Sequence, residues 1–284
     1  MHEKTEGEII SLDGKWLRGS FDKATGTDAV KMVSAWAGTA RLVLAQKAIE
    51  SGNNETATLP QLLKLLDVSG CIVTLDAAGC HKSIAQQIVK KKGDSVLSLK
   101  GNHETVYEAV VDNFTDGEAK NVDTPFGVEQ VRMVSKGHGR VEISECFVVG
   151  GVDFVDVKGE WKGLQSIVMV KSERRIGEKV SIERRHFLTS LGGSGAAKRV
   201  LRAVRSHWGI ENRFHWVLDV VYGEDRCRVR VGNAAQNLSV MREITLNLLR
   251  QSPDKKTSLR IKRKRAGWEA EYLEEILTGV ARDE

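Results

Sequence analysis

One short run constrains the fold more than any other. Cys71-Ile72-Val73-Thr74-Leu75 is almost unbroken in apolar and β-branched residues and breaks off at Asp76-Ala77-Ala78-Gly79. A helical repeat from Lys82 to Lys92 follows, and then a second strand-like run from Asp94 to Leu99. An apolar run this short suits a strand buried on both faces. In the helical repeat, Ile84, Ala85, Ile88 and Val89 gather on one face, which must pack against something. Strand, helix and strand in so short a stretch form a βαβ unit, whose two strands are expected as parallel neighbours. A parallel pair needs cover on both sides, so the chain is expected to be α/β.

The flanking sequence extends this plan. Strands are expected at Ile9 to Trp16, Val30 to Trp36 and Ala40 to Lys47, and a helix from Pro60 to Leu66 with proline in its first position. From about 125 to 190 the apolar period falls to two. Val141 to Gly150, Leu164 to Lys171 and Val180 to Thr189 then read as antiparallel strands of a β-rich insertion. Helical periodicity returns over 195–250, and an amphipathic helix from Trp268 to Leu277 closes the chain.

Composition excludes several classes. Of 284 residues 29% are charged and 41% hydrophobic, which suits a folded protein with a sizeable core. No apolar run nears the roughly 20 residues that span a bilayer, and the polar start MHEKTEGEII lacks the pattern of a signal peptide. A cytoplasmic protein with no membrane partner is therefore expected. Cys71, Cys80, Cys146 and Cys227 form no C-x-x-C pair, against a zinc ribbon or a disulfide scaffold. The net charge is only +5, yet KKTSLRIKRKR at 255–265 carries seven Lys or Arg, a candidate phosphate-binding surface or else a solvated tail.

Three carboxylates stand out. Asp76 follows a buried strand, at the carboxyl edge where open α/β sheets bind ligands, although a turn-forming aspartate is the plainer reading. Asp13 interrupts a strand dominated by apolar residues, which is costly unless it is paired or metal-bound. Lys15, two residues on and on the same strand face, either neutralises Asp13 or approaches a phosphate. Glu211 follows Val200 by almost three helical turns and Val204 by almost two, at about 3.6 residues per turn, so it should fall on the core-facing stripe that also includes Trp208. His207 and His215 flank it at four residues each way and make zinc held by His207, Glu211 and His215 an alternative. Glu224 and Asp225 are rival third carboxylates, but they follow Gly223 in an expected loop, and helical phase favours Glu211. Three carboxylates from two strands and a helix would suit hard divalent ions that clamp a phosphoryl group. Spacing alone does not bring them together.

ISLDGKWLRGS around Asp13, VTLDAAGCHKSIAQQIVKKKGDSVLSLKGNH around Asp76, and RSHWGIENRFHWVLDVVYGEDRCRVRVGNAAQNLSVMREITLNLL around Glu211 resemble the DDE-type transposases of bacterial insertion sequences, in particular the H-repeat-associated group. The closing KRKRAGWEAEYLEEIL resembles the family's usual ending. The resemblance implies an RNase H-like mixed sheet flanked by helices, with a β-rich insertion before the last catalytic helix. It divides the chain into the first part of the catalytic core (1–120), the insertion (121–192), the core helices carrying the glutamate (193–250), and a basic segment with the C-terminal helix (251–284). Asp13, Asp76 and Glu211 would then be both catalytic residues and ligands of two Mg²⁺ or Mn²⁺ ions.

The same resemblance implies a bacterial protein, associated with the nucleoid when bound to DNA, that cuts and joins phosphodiesters at transposon ends and in target DNA. It acts on double-stranded DNA as a homodimer assembled there. Lys15, Arg18, Lys100, Arg205, Asn212, Lys262, Arg263, Lys264 and Arg265 are the candidate DNA contacts. The sequence departs from related transposases twice. They place Tyr, Arg and Lys where this chain has Val204, His207 and Leu218, and they carry a helical N-terminal domain before the first aspartate. The chain is thus expected to lack that domain and to transpose weakly or not at all. A non-catalytic DNA-binding remnant is the alternative.

Overall fold

The computed structural model describes residues 7–50, 52–114, 127–137, 139–153, 155 and 159–279. Nine strands form a single sheet in the order β3-β2-β1-β4-β5-β9-β8-β7-β6. The strands are β1 (Ile9–Leu17), β2 (Val30–Ala37), β3 (Leu42–Ala48), β4 (Ile72–Leu75), β5 (Asp94–Leu99), β6 (Val128–Gly137), β7 (Arg140–Gly150), β8 (Ser166–Ile176) and β9 (Lys179–Thr189). The β4–β5 pair is parallel, as the βαβ reading expects; β1 also runs parallel to β4, and β2 and β3 extend the sheet antiparallel from β1. This five-strand arrangement is the RNase H-like mixed sheet that the resemblance implies.

The β-rich segment does not stand apart from that sheet. β9 pairs antiparallel with β5, and β8, β7 and β6 follow in turn, so the insertion lengthens the sheet into a nine-strand wall. The expected junction at 120/121 lies outside the described residues. β8 and β9 reach further than their apolar cores because their distal halves, Lys171–Ile176 and Lys179–Arg184, form a charged ribbon outside the packed body. β6 was not anticipated. It is an edge strand with no consistently buried face, so its sequence does not alternate.

Helices cover both faces. α1 (Glu55–Leu65) and α2 (Lys82–Lys90) pack Leu59, Leu62, Leu63, Ile84 and Ile88 against Ile10, Leu12, Val73 and Leu75. α1 starts five residues earlier than expected because Asn54 caps it, its side chain accepting from Ala57 N at 3.1 Å. Pro60 therefore lies inside the helix, not at its first position, and one helical hydrogen bond is forgone there. α3 (Glu104–Asp112) is a short helix after β5, with only Val110 buried, too brief to show in the sequence pattern.

The opposite face carries one long helical run: α4 (Ala196–Gly209), a π-helical segment (Ile210–His215) and α5 (Trp216–Tyr222). α4 buries Val200, Leu201, Ala203 and Val204 on Ile9, Ile72 and Val96. α6 (Ala234–Gln251), α7 (Leu259–Arg265) and α8 (Ala270–Thr278) pack beyond it, the last closing on Leu249 through Tyr272 and Ile276. Among the described residues no helix is long and apolar enough to cross a membrane.

Candidate active site

Strand parity places two aspartates together. The β1–β4 register ends at Leu12 opposite Leu75, so Asp13 and Asp76 are the next residues on neighbouring parallel strands, which run roughly 4.8 Å apart. Leu12 and Leu75 belong to the core under α1 and α2; one residue further along, both aspartates take the other face, with Ile9 and Ile72. That face lies under the helical run that carries Glu211.

The helical run keeps pace with the strands. His207 Nδ1 lies 2.9 Å from Thr74 Oγ1, His215 Nδ1 lies 3.6 Å from Asp13 Oδ2, and Lys15 Nζ donates to Asp219 Oδ1 at 2.8 Å. On β1 the contact residues Asp13 and Lys15 are two apart and their partners His215 and Asp219 are four apart, whereas His207, eight residues before His215, meets β4. Two strand residues rise about 6.7 Å and four helical ones about 6 Å, so the ladder matches in length. A regular α-helix would drift off the strands between His207 and His215, because eight residues exceed two turns. The π segment, with wider i→i+5 turns, takes up that drift.

The π segment also changes the environment of Glu211. Helical phase predicts a buried residue, but Glu211 is exposed, and so is Trp208 at 39%. The sheet beneath α4 ends at Leu75 and Leu99, so past Val204 that stripe has no strand to pack on. The buried stripe moves instead to Ile210, Phe214, Val217 and Leu218, against Trp36 and Leu246. Glu211 therefore stands at the mouth of a cavity of about 440 Å³ that Asp76 also lines, with Lys100, Arg184, Arg185 and His207.

The electrostatics of the group are unfavourable as it stands. Burial pushes the Asp13 carboxyl up to about 7, opposed in part by the Gly14 N–H, and the charges of Asp76, Glu211 and Glu55 push the same way as burial. Among the described residues no Lys or Arg lies within 4.0 Å of Asp13, Asp76 or Glu211. Burial pushes His215 down to about 3, with Lys15 and His207 adding to the shift, so the imidazole beside Asp13 is neutral at pH 7. Its Nε2 is buried with no hydrogen-bond partner among the described residues. Burial likewise takes His207 down to about 4.

Among the described residues, no three His, Cys, Asp or Glu side chains converge closely enough as placed to hold one ion. That applies equally to His207, Glu211 and His215. Each aspartate instead turns an oxygen to a local N–H, Asp13 to Gly14 at 2.8 Å and Asp76 to Gly79 at 3.2 Å. The donor chemistry separates the two readings. An Asp13 carboxyl raised by burial and by the charges of Asp76 and Glu211, with no Lys or Arg within 4.0 Å among the described residues, suits an oxygen-preferring divalent ion, whereas both imidazoles are tied to neighbours on the strands.

Two expected DNA contacts are corrected. Lys15 is only 9% exposed and pairs with neither Asp13 nor solvent. Its Nζ lies 2.8 Å from Asp219, 2.9 Å from Asp225 and 3.4 Å from Glu224. Lys262 is 3% exposed and donates to the Leu249 and Asp254 carbonyls, closing the end of α6. Arg18, Lys100, Arg263, Lys264 and Arg265 are exposed. Of these, Arg263 also reaches the Val221 carbonyl and lies over Tyr222, and Arg265 pairs with Glu269. Arg205 is half-buried and donates to Ser144, while Asn212 is exposed and donates to the Trp208 carbonyl.

Asp219, Glu224 and Asp225 are the residues that sequence reasoning undervalued. Gly223, at φ +66°, turns the chain after α5 so that Glu224 and Asp225 come back towards β1. Gly19 admits the returning loop, since a Cβ there would lie 2.1 Å from the Cys227 carbonyl oxygen. Glu224, 2% exposed, also meets Arg242 and Ser239. These acids clamp β1 to the helix that presents Glu211. The available signal was the parity of Lys15 with Asp13.

Residues 4–248 match the transposase DDE domain model. The chain is 39% identical over 287 aligned positions to "Putative transposase YncI" of Escherichia coli O157:H7, covering 99% of this chain and 71% of that protein. It is 34% identical to "H repeat-associated putative transposase YhhI" of Escherichia coli K12, covering 98% and 73%. A piggyBac transposase in a synaptic complex with hairpin DNA aligns at a TM-score of 0.48 and 11% identity, over 99% of this chain and 59% of that one.

Proposed function

The chain belongs to the transposase DDE domain family, and from that premise we propose that it cuts and joins DNA phosphodiesters at insertion-sequence ends through Asp13, Asp76 and Glu211. The observation that carries this reading is the placement of Asp13 and Asp76 side by side beneath the helix of Glu211, with no Lys or Arg within 4.0 Å of them among the described residues. Uncompensated carboxylates in a partly buried cleft are stable only as ligands or in protonated form.

In this reading the three carboxylates hold two Mg²⁺ or Mn²⁺ ions, which when bound supply Lewis-acid activation of water and stabilise the leaving oxygen. Cleavage breaks the phosphorus–oxygen bond to the 3′ carbon as water's oxygen bonds to phosphorus. The released 3′-hydroxyl, losing its proton, then attacks a phosphodiester of target DNA, and the displaced oxygen takes up a proton. The chain's own part is positional. Asp13 and Asp76 are fixed by the strand register, and Glu211 is held by the His207, His215 and Asp219 contacts on either side of it. Arg18, Lys100, Arg205, Asn212, Arg263, Lys264 and Arg265 serve as contacts to the phosphates of double-stranded transposon ends and target, with a homodimer assembled on the DNA.

Nicking of supercoiled plasmid tests this. Mg²⁺- or Mn²⁺-dependent nicking, abolished by Asp76→Asn, is expected. DNA binding without nicking, indifferent to Mg²⁺ and to Asp76→Asn, would identify a non-catalytic DNA-binding remnant instead.

A further inference from the structure

β5 stops at Leu99, paired with His186 of β9, while β9 continues beyond it to Arg185, Arg184 and Glu183. The cleft opens where one strand ends and its neighbour goes on, so Arg184 and Arg185 become a wall facing Asp76 and Glu211. Arg185 is the better placed. Its guanidinium lies 4.3 Å from the centre of the Trp208 ring, and its Nε donates to Glu183 at 2.8 Å. Both contacts hold the guanidinium plane, and among the described residues no hydrogen bond engages its two terminal amino groups. The Arg185–Trp208 stack also forms part of a second depression of about 650 Å³, where Arg205 and Asn212 lie beside Arg140 and Arg174, both paired with Glu142, so it is the lip between the two.

This arrangement bears on the departure noted in the sequence, where the basic residues expected around the glutamate are replaced by His207 and Leu218. A pre-oriented guanidinium with free terminal donors matches a phosphate bidentately, and a half-exposed indole beside it offers a base a stacking face. We infer that Arg185, braced on Trp208, grips a backbone phosphate of the DNA strand next to the one being cut, so that the strand passes from the cleft over this lip into the neighbouring depression. The inference rests on the reading of the cleft as a DNA-processing site. It assigns Arg185 a binding and positioning role, with no proton or bond transferred at it.

The test is equilibrium binding of a short DNA duplex across a salt series, in EDTA so that no chemistry intervenes. Arg185→Gln is expected to flatten the plot of log K against log salt by about 0.9, the contribution of one phosphate, while Arg185→Lys keeps the slope. An unchanged slope in Arg185→Gln would overturn the proposal. A second reading needs no change at Arg185. Tryptophan emission of the unaltered protein, less that of Trp208→Phe, should change when the duplex is added, and a difference signal that DNA leaves untouched would also overturn it. Because neither measurement depends on turnover, a failure of the carboxylates to cut DNA stays distinguishable from a failure of this contact.

Discussion

Leu12 and Leu75 are the last residues paired across the parallel β1–β4 seam, and the residue after each is an aspartate. The pairing leaves the two leucines in the α1–α2 core and turns both aspartates to the face of the helical run that carries Glu211. A shift of one residue in this register would separate the carboxylates, so the apolar pattern that fixes the sheet also fixes the site.

Asp76→Asn and Glu211→Gln should each remove metal-dependent nicking while leaving the fold intact, because neither side chain is buried or salt-bridged. The loss should exceed the roughly 10–100-fold that follows removal of a residue merely supporting a ligand. Thermal unfolding of both variants should match the parent in metal-free buffer or lie above it, since each substitution removes a charge repelling Asp13.

Lys15→Met should destabilise the protein by about 3–5 kcal/mol, the range for a buried pair stripped of one partner. Its ammonium is the buried cation shared by Asp219, Glu224 and Asp225, with Arg242 also meeting Glu224 and Arg18 also meeting Asp225. Adding Asp219→Asn should recover part of the loss, and denaturant unfolding of the single and double variants measures both effects. If Lys15→Met only weakened DNA binding at unchanged stability, the phosphate role expected from sequence would be restored.

Glu243 supplies a pH dependence away from the cleft. Burial raises its carboxyl well above the usual carboxylate range, Glu224 adds to the rise, and the hydroxyl of Ser34 donates to it, opposing the rise. The folded state then holds a proton that the unfolded state releases, so stability falls as pH rises above about 4.5. Glu243→Gln, which still accepts from Ser34, should raise the melting temperature at alkaline pH, at roughly 2–4 °C per kcal/mol. Near pH 4 it should have little effect, and thermal scans at the two pH values check this.

How much the sequence disclosed depended on whether a segment's partner was local. The β4–α2–β5 unit is legible from Cys71 to Leu99 because its strands are buried on both faces and its helix is amphipathic. Asp13 and Asp76 are legible as residues, and strand parity gives their common face. The setting of Glu211 is not, because helical phase carries over only through a regular α-helix and the π segment begins at Ile210. β6 and the far half of β8 lack apolar alternation because no layer covers them, whereas Val180 and Ile182 keep the far half of β9 legible. The fates of Lys15 and Lys262 depend on partners more than 200 residues away or across a helix end, which composition cannot show.

Lys262→Met should lower stability by about 1–3 kcal/mol through loss of its bonds to the Leu249 and Asp254 carbonyls. It should leave the salt dependence of DNA binding unchanged, whereas Lys264→Gln on the exposed side of α7 should flatten it. A matched pair of salt titrations separates the structural lysine from the surface one within a single basic helix.

The most direct measurement is anomalous X-ray scattering from crystals soaked in Mn²⁺. Signal in the space bounded by Asp13, Asp76 and Glu211, lost in Asp13→Asn, is the expected result. Mn²⁺ bound only elsewhere on the protein, or held by His207 and His215 with the aspartates uninvolved, would contradict the account.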